Sequence, residues 1–112
     1  MKDSLKQFLE YSDSDEELAN YIRINADWNE ESFIKMMKLI RKVIGDYSDS
    51  PYYHKAFVFY CMEIIRIIIE TISCIEFCNS WPEGYTQESY RYFIAERIEK
   101  LKILKKDFIM SL

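Results

Sequence analysis

The run Glu63-Ile64-Ile65-Arg66-Ile67-Ile68-Ile69-Glu70-Thr71-Ile72-Ser73 decides the fold class. Its six isoleucines have the composition of a buried strand, because β-branched side chains suit a pleated surface. Length argues otherwise. The apolar stretch extends from Ala56 to Cys78 with no glycine or proline to end it, whereas strands usually run about 4 to 8 residues. Glu63, Arg66, Glu70 and Ser73 also follow steps of three, four and three, which places them on one stripe of a helix. An arginine between two glutamates at these steps predicts an intrahelical salt-bridge ladder. The spacing therefore predicts a helix to about Cys78, apolar on most of its circumference and central to the fold. The charges at 63, 66, 70 and 76 make it a buried helix and not a membrane span.

The residues outward from this run divide cleanly. Asp46-Tyr47-Ser48-Asp49-Ser50-Pro51 is a loop, with Ser50 as the expected N-cap and Pro51 as the first helical residue of the central helix. Before it, Phe33, Ile34, Met37, Ile40 and Ile44 recur at helical intervals. Asp27 is the expected N-cap, with Glu30 completing a capping box, and Gly45 stands where a C′ glycine belongs. Leu5, Phe8 and Leu9 predict a short first helix over 3–11. Ser14 and Glu17 predict a capping box opening a second helix through Leu18, Tyr21 and Ile22 to about Asn25. Downstream, Asn79 to Tyr85 holds Pro82 and Gly84 and reads as a loop, with Trp81 expected to fold back onto the core. Thr86 then caps a last helix to about Ile109, whose stripe is Tyr90, Phe93, Ile94, Ile98, Leu101, Leu104 and Phe108. The expected architecture is all-α: residues 1–112 form a single-domain bundle of about five helices around the long apolar central helix.

Composition narrows the function. The chain has 112 residues, a net charge of -4, two glycines and two prolines. So little glycine excludes a glycine-cradled phosphate site and hairpin-rich β architecture. The net acidity argues against a nucleic-acid binder. Nucleophilic catalysis needs an activated side chain beside a base. His54 is the only histidine, and no serine or cysteine motif surrounds it. No enzyme activity, cofactor or metal is expected. Cys61, Cys74 and Cys78 lack a CxxC knuckle and read as buried free thiols in a reducing cytosol. No apolar run follows the basic N-terminus, so no secretory signal is expected and the location is expected to be cytoplasmic.

The placement of charge says more than its sum. Residues 1–34 hold nine acids against three bases, residues 35–44 hold Lys35, Lys38, Arg41 and Lys42 with no acid, and residues 86–112 hold six bases against four acids. One reading is a solvated surface whose charges complement helix dipoles. The other is an acidic recognition surface. Asp13, Asp15, Glu16 and Glu17 form one dense cluster. Asp46 and Asp49 form a second, interleaved with Tyr47, Tyr52 and Tyr53. Tyrosine suits interface hot spots, and nine tyrosines exceed what one small core can satisfy. These nine cluster residues are the candidate binding surface for a basic protein. A rival reading is a helical adaptor or regulatory module, engaging an acidic partner through the Lys35–Lys42 ridge or joining a second copy through exposed aromatics.

Asp49-Ser50-Pro51 followed by Tyr52-Tyr53 resembles the immunity proteins of the DNase colicins. Those combine a tyrosine pair with Asp-Ser-Pro before a helix, but in the opposite order. In size and style the chain is also similar to the immunity proteins of contact-dependent growth inhibition systems. The resemblance implies 1:1 neutralisation of a cognate toxin, a basic nuclease domain with RNase ahead of DNase. It implies no direct contact with nucleic acid or membrane.

Overall fold

The computed structural model describes all 112 residues, and every regular element in it is helical. The elements are α1 (Asp3–Ser12), α2 (Leu18–Asn25), α3 (Glu30–Asp46), α4 (Lys55–Phe59), a π-helical turn (Tyr60–Ile64), α5 (Ile65–Ser73), a 3-10 turn (Ile75–Asn79) and α6 (Gln87–Met110). Helix α4, the π turn and α5 join into one rod, so the molecule is a five-helix assembly. No helix is long and apolar enough to cross a membrane.

Contacts at the helix ends set the topology. Lys2 reaches Asp46 and Tyr47 while Tyr11 reaches Ser32, so α1 runs antiparallel to α3. Glu30 pairs with Arg97 and Arg41 with Asp107, so α3 and α6 are parallel. The rod is antiparallel to α6: Phe57 meets Phe108 at one end, and Gln87 donates to the Cys78 carbonyl at the other. One core takes in side chains from every helix, among them Phe8, Leu18, Met36, Ile40, Phe57, Ile65, Ile68, Ile94, Leu101 and Phe108. The aromatic part is packed edge to face, with Phe8 5.1 Å from Phe57 and 5.2 Å from Tyr60.

The salt-bridge ladder forms as the spacing predicts: Arg66 bonds Glu63 at 2.9 Å and Glu70 at 2.8 Å. The rod around it differs from the expected cylinder. It buries one stripe (Phe57, Tyr60, Cys61, Ile65, Ile68 and Ile72), while Phe59 and Ile67 are 57 % and 43 % exposed. It is a wall of the core. The widened π turn lets consecutive Tyr60 and Cys61 both face inward.

The helix bodies lie where the sequence pattern puts them, although α3 buries Phe33, Met36, Leu39, Ile40 and Val43 and leaves Ile34 45 % exposed, and most of the caps differ from expectation. The rod starts at Lys55 instead of Pro51, with His54 as N-cap. Ser50 closes its own small turn with Tyr52, and Tyr53 reaches the Phe57 and Phe108 rings from the loop before α4. At the far end Cys74 is extended and stops α5 after Ser73, short of Cys78. Gly45 is not a C′ residue: α3 continues through Asp46, because the anchored Tyr47 holds the last turn as its C-cap. Asn29 takes the N-cap role expected of Asp27, accepting from Ser32 N, because Glu30 is drawn to Trp28 Nε1 and Arg97. Ser14 does not cap α2 but donates back to the Tyr11 carbonyl, closing α1, and Glu17 is the N-cap. Thr86 caps α6 as expected, in a capping box with Ser89.

Candidate functional site

The first acidic cluster sits on the turn between α1 and α2. Asp13, Asp15 and Glu16 are exposed there, and Glu17 is not. Its carboxylate accepts from Ala19 N at 2.7 Å, Asn20 N at 2.9 Å and the Tyr60 hydroxyl. Three donors onto one carboxylate make this burial tolerable, since an unpaired buried charge costs several kcal/mol. Tyr11 lies beside it. Its hydroxyl accepts from Leu18 N at 3.0 Å and shares a 2.8 Å bond with Ser32 Oγ, while that hydroxyl donates to the Glu16 carbonyl. Burial raises the Tyr11 pKa to about 12, against the lowering effect of the Ser32 and Leu18 bonds. Burial also lifts Tyr60 well above its ordinary value, reinforced by the nearby Tyr11 and Glu17. Glu17 is therefore a structural residue and leaves the candidate surface. Glu16 remains on it, 3.8 Å from Lys35.

The second cluster sits on the connection between α3 and α4. Its tyrosines divide into two kinds. Tyr47 and Tyr53 are half-buried with their rings tilted toward each other at 6.4 Å, and Tyr53 continues to Phe57 at 5.4 Å and Phe108 at 5.5 Å. Tyr53 also bonds Ser111 at 2.9 Å, and Lys2 lies over the Tyr47 ring while donating to the Asp46 carbonyl. These rings hold the loop to both chain ends. Tyr52 is left projecting, 80 % exposed, with Asp46 and Asp49 also exposed. Asp46, Asp49 and Tyr52 are the members free to meet a partner.

The two clusters lie at opposite ends of α3. At 1.5 Å per residue its 17 residues separate them by about 25 Å. The basic ridge of α3 runs between, partly engaged through Lys35 with Glu16 and Arg41 with Asp107 at 3.0 Å.

Several exposed groups were not legible as candidates. Trp81 does not fold back but is 45 % exposed, and Tyr92 is 71 % exposed. Trp81 stands in the loop before α6, where no periodicity marks its direction, and Tyr92 is two residues from the buried Tyr90, on the opposite face of α6. His54, the only imidazole, accepts from Ala56 N through Nδ1 at 3.1 Å. All three cysteines are free, but only Cys61 and Cys78 are buried, and Cys74 is exposed. Burial pushes the Cys61 and Cys78 thiols up, so both are poor nucleophiles. No group of three or more His, Cys, Asp or Glu side chains is placed to hold a metal ion.

No family model, curated protein or solved structure matches the chain.

Proposed function

We propose that the protein is an immunity protein, which binds a basic nuclease toxin domain 1:1 in the cytoplasm and blocks its action. The observation that carries this reading is Tyr52, 80 % exposed beside Asp49 on a loop immobilised by the Tyr47–Tyr53–Phe57–Phe108 cluster. A rigid aromatic anchor flanked by carboxylates pays little ordering entropy on binding and pairs well with a toxin's lysines and arginines. A standard interface covers about 800 Å² on each partner. Centred on Tyr52, such a patch leaves Asp13, Asp15 and Glu16 at or beyond its rim. Their contribution is then long-range attraction, which raises the association rate more than it slows dissociation.

The test is co-expression with a candidate nuclease toxin domain, taken from a neighbouring gene where one encodes it, followed by titration of the purified pair. Rescue of growth is expected. Asp46→Lys with Asp49→Lys should weaken binding by several kcal/mol, mostly through faster dissociation. Reversal of Asp13 and Asp15 should mainly slow association, with the effect vanishing at high salt. Unchanged affinity in the Asp46/Asp49 variant, with the helical spectrum intact, refutes the assignment.

A further inference from the structure

Between α5 and the C-terminal half of α6 runs a groove of about 440 Å³. Its floor is Ile69, Ile109 and Met110, and its rim carries Arg66, Glu70, Lys102, Lys105 and Lys106. Both Ile109 and Met110 remain exposed, at 44 % and 76 %. The rim is cationic by four charges to one, and the cations are not equally engaged. Arg66 is clamped by Glu63 and Glu70, and Lys102 lies 3.6 Å from Glu99, but Lys105 and Lys106 have no carboxylate within pairing distance. The part lined by α6, from Lys102 to Met110, is about 12 Å long at 1.5 Å per residue.

We infer that this groove docks an acidic amphipathic segment of another protein. Its apolar side chains would lie on Ile69, Ile109 and Met110, and its carboxylates would pair with Lys105 and Lys106. Two features select this occupant. The groove is open and extends over two helical turns, which suits a run of side chains better than a compact small molecule enclosed on all sides. Unpaired lysines at an apolar strip favour the opposite charge in whatever covers the strip, and they disfavour a basic partner by like-charge repulsion. The groove is chemically opposite to the Tyr52 loop, so this surface does not depend on the toxin reading.

The experiment uses the whole chain and a fluorescent amphipathic helical peptide with leucines at i, i+3, i+4 and i+7 and glutamates elsewhere. A matched peptide carries lysine in place of glutamate. Anisotropy should show saturable binding of the acidic peptide, weakening with salt, and at least tenfold weaker binding of the basic one. The Lys105→Glu/Lys106→Glu variant should lose at least tenfold in affinity for the acidic peptide, and Met110→Ser should lose several-fold. Lys38→Glu/Lys42→Glu on α3 should bind as the unaltered protein does. Circular dichroism verifies the fold of each. The inference is overturned if the acidic peptide fails to bind, if reversal of Lys105 and Lys106 leaves binding unchanged, or if the α3 variant loses as much. It is also overturned if phosphatidylglycerol vesicles compete the peptide away and bind tighter in a manner that depends on Lys105 and Lys106, which would make the groove a lipid-facing surface.

Discussion

The two acidic loops have similar sequences and opposite construction. The α1–α2 turn is fixed by a buried polar network: Glu17 bonded by two backbone amides and Tyr60, with Tyr11 and Ser32 completing it. The α3–α4 loop is fixed by rings, Tyr47 and Tyr53 against Phe57 and Phe108. In the first, a carboxylate is drawn inward and consumed. In the second, the carboxylates stay outside and the tyrosines are consumed, except Tyr52. A polar network gains strength from the low local dielectric but is costly when incomplete. An aromatic cluster loses stability by degrees, with the area removed.

That contrast can be broken in a definite order. Glu17→Leu should be the most damaging change, costing about 3 kcal/mol, because it removes the α2 cap and leaves the Tyr60 hydroxyl buried without its acceptor. Chemical denaturation reads this directly, and a loss under ~1 kcal/mol would show the network to be dispensable. Tyr53→Ala should cost about 2 kcal/mol, less than truncation of a fully buried ring, because Tyr53 is only half-buried. It should also loosen both chain ends, visible as faster amide exchange near Lys2 and Ser111.

Alkaline pH separates the loops further. A tyrosine held near 12 when folded and near 10 when unfolded contributes stability that is fully present below pH ~10 and is lost as pH rises toward 12. Denaturation from pH 8 to 11.5 should therefore reveal a decline to which Tyr11 contributes about 1–2 kcal/mol. Tyr11→Phe should remove that share and leave the part contributed by the buried Tyr60 and by Tyr90, and Tyr53→Ala should leave the whole decline in place. The smallest effect belongs to the projecting residues. Tyr52→Ala and Asp49→Lys should each change stability by no more than about 0.5 kcal/mol, so that a loss of binding to the proposed partner in them could not be ascribed to unfolding. A larger loss would mean that the Tyr52 loop is part of the framework after all.

Much of this was legible in the sequence, and the failures share a cause. Periodicity located the bodies of α3, the rod and α6, because hydrophobic spacing is written along the chain. Arg66 found its two glutamates because i,i+3 and i,i+4 partners are fixed by the helix alone. Several of the misplaced caps are places where a distant residue outbid a local one. Glu17 went to Tyr60, 43 positions away, and Glu30 to Arg97, 67 positions away. Tyr53 went to the rings of Phe57 and Phe108. Nothing in a local window marks such partners.

By itself, then, the sequence determined an all-helical chain, where most helix bodies lie, and which residues are acidic or aromatic enough to serve a binding surface. Those properties depend on near neighbours, so they survive without knowledge of the fold. Only the tertiary structure decided which of those residues face out. It withdrew Glu17, Tyr47 and Tyr53 into the framework, left Asp46, Asp49 and Tyr52 together, and put the other exposed acids about 25 Å away across α3. Exposure is set by what packs across the core, and a single chain position carries no record of that until the helices meet.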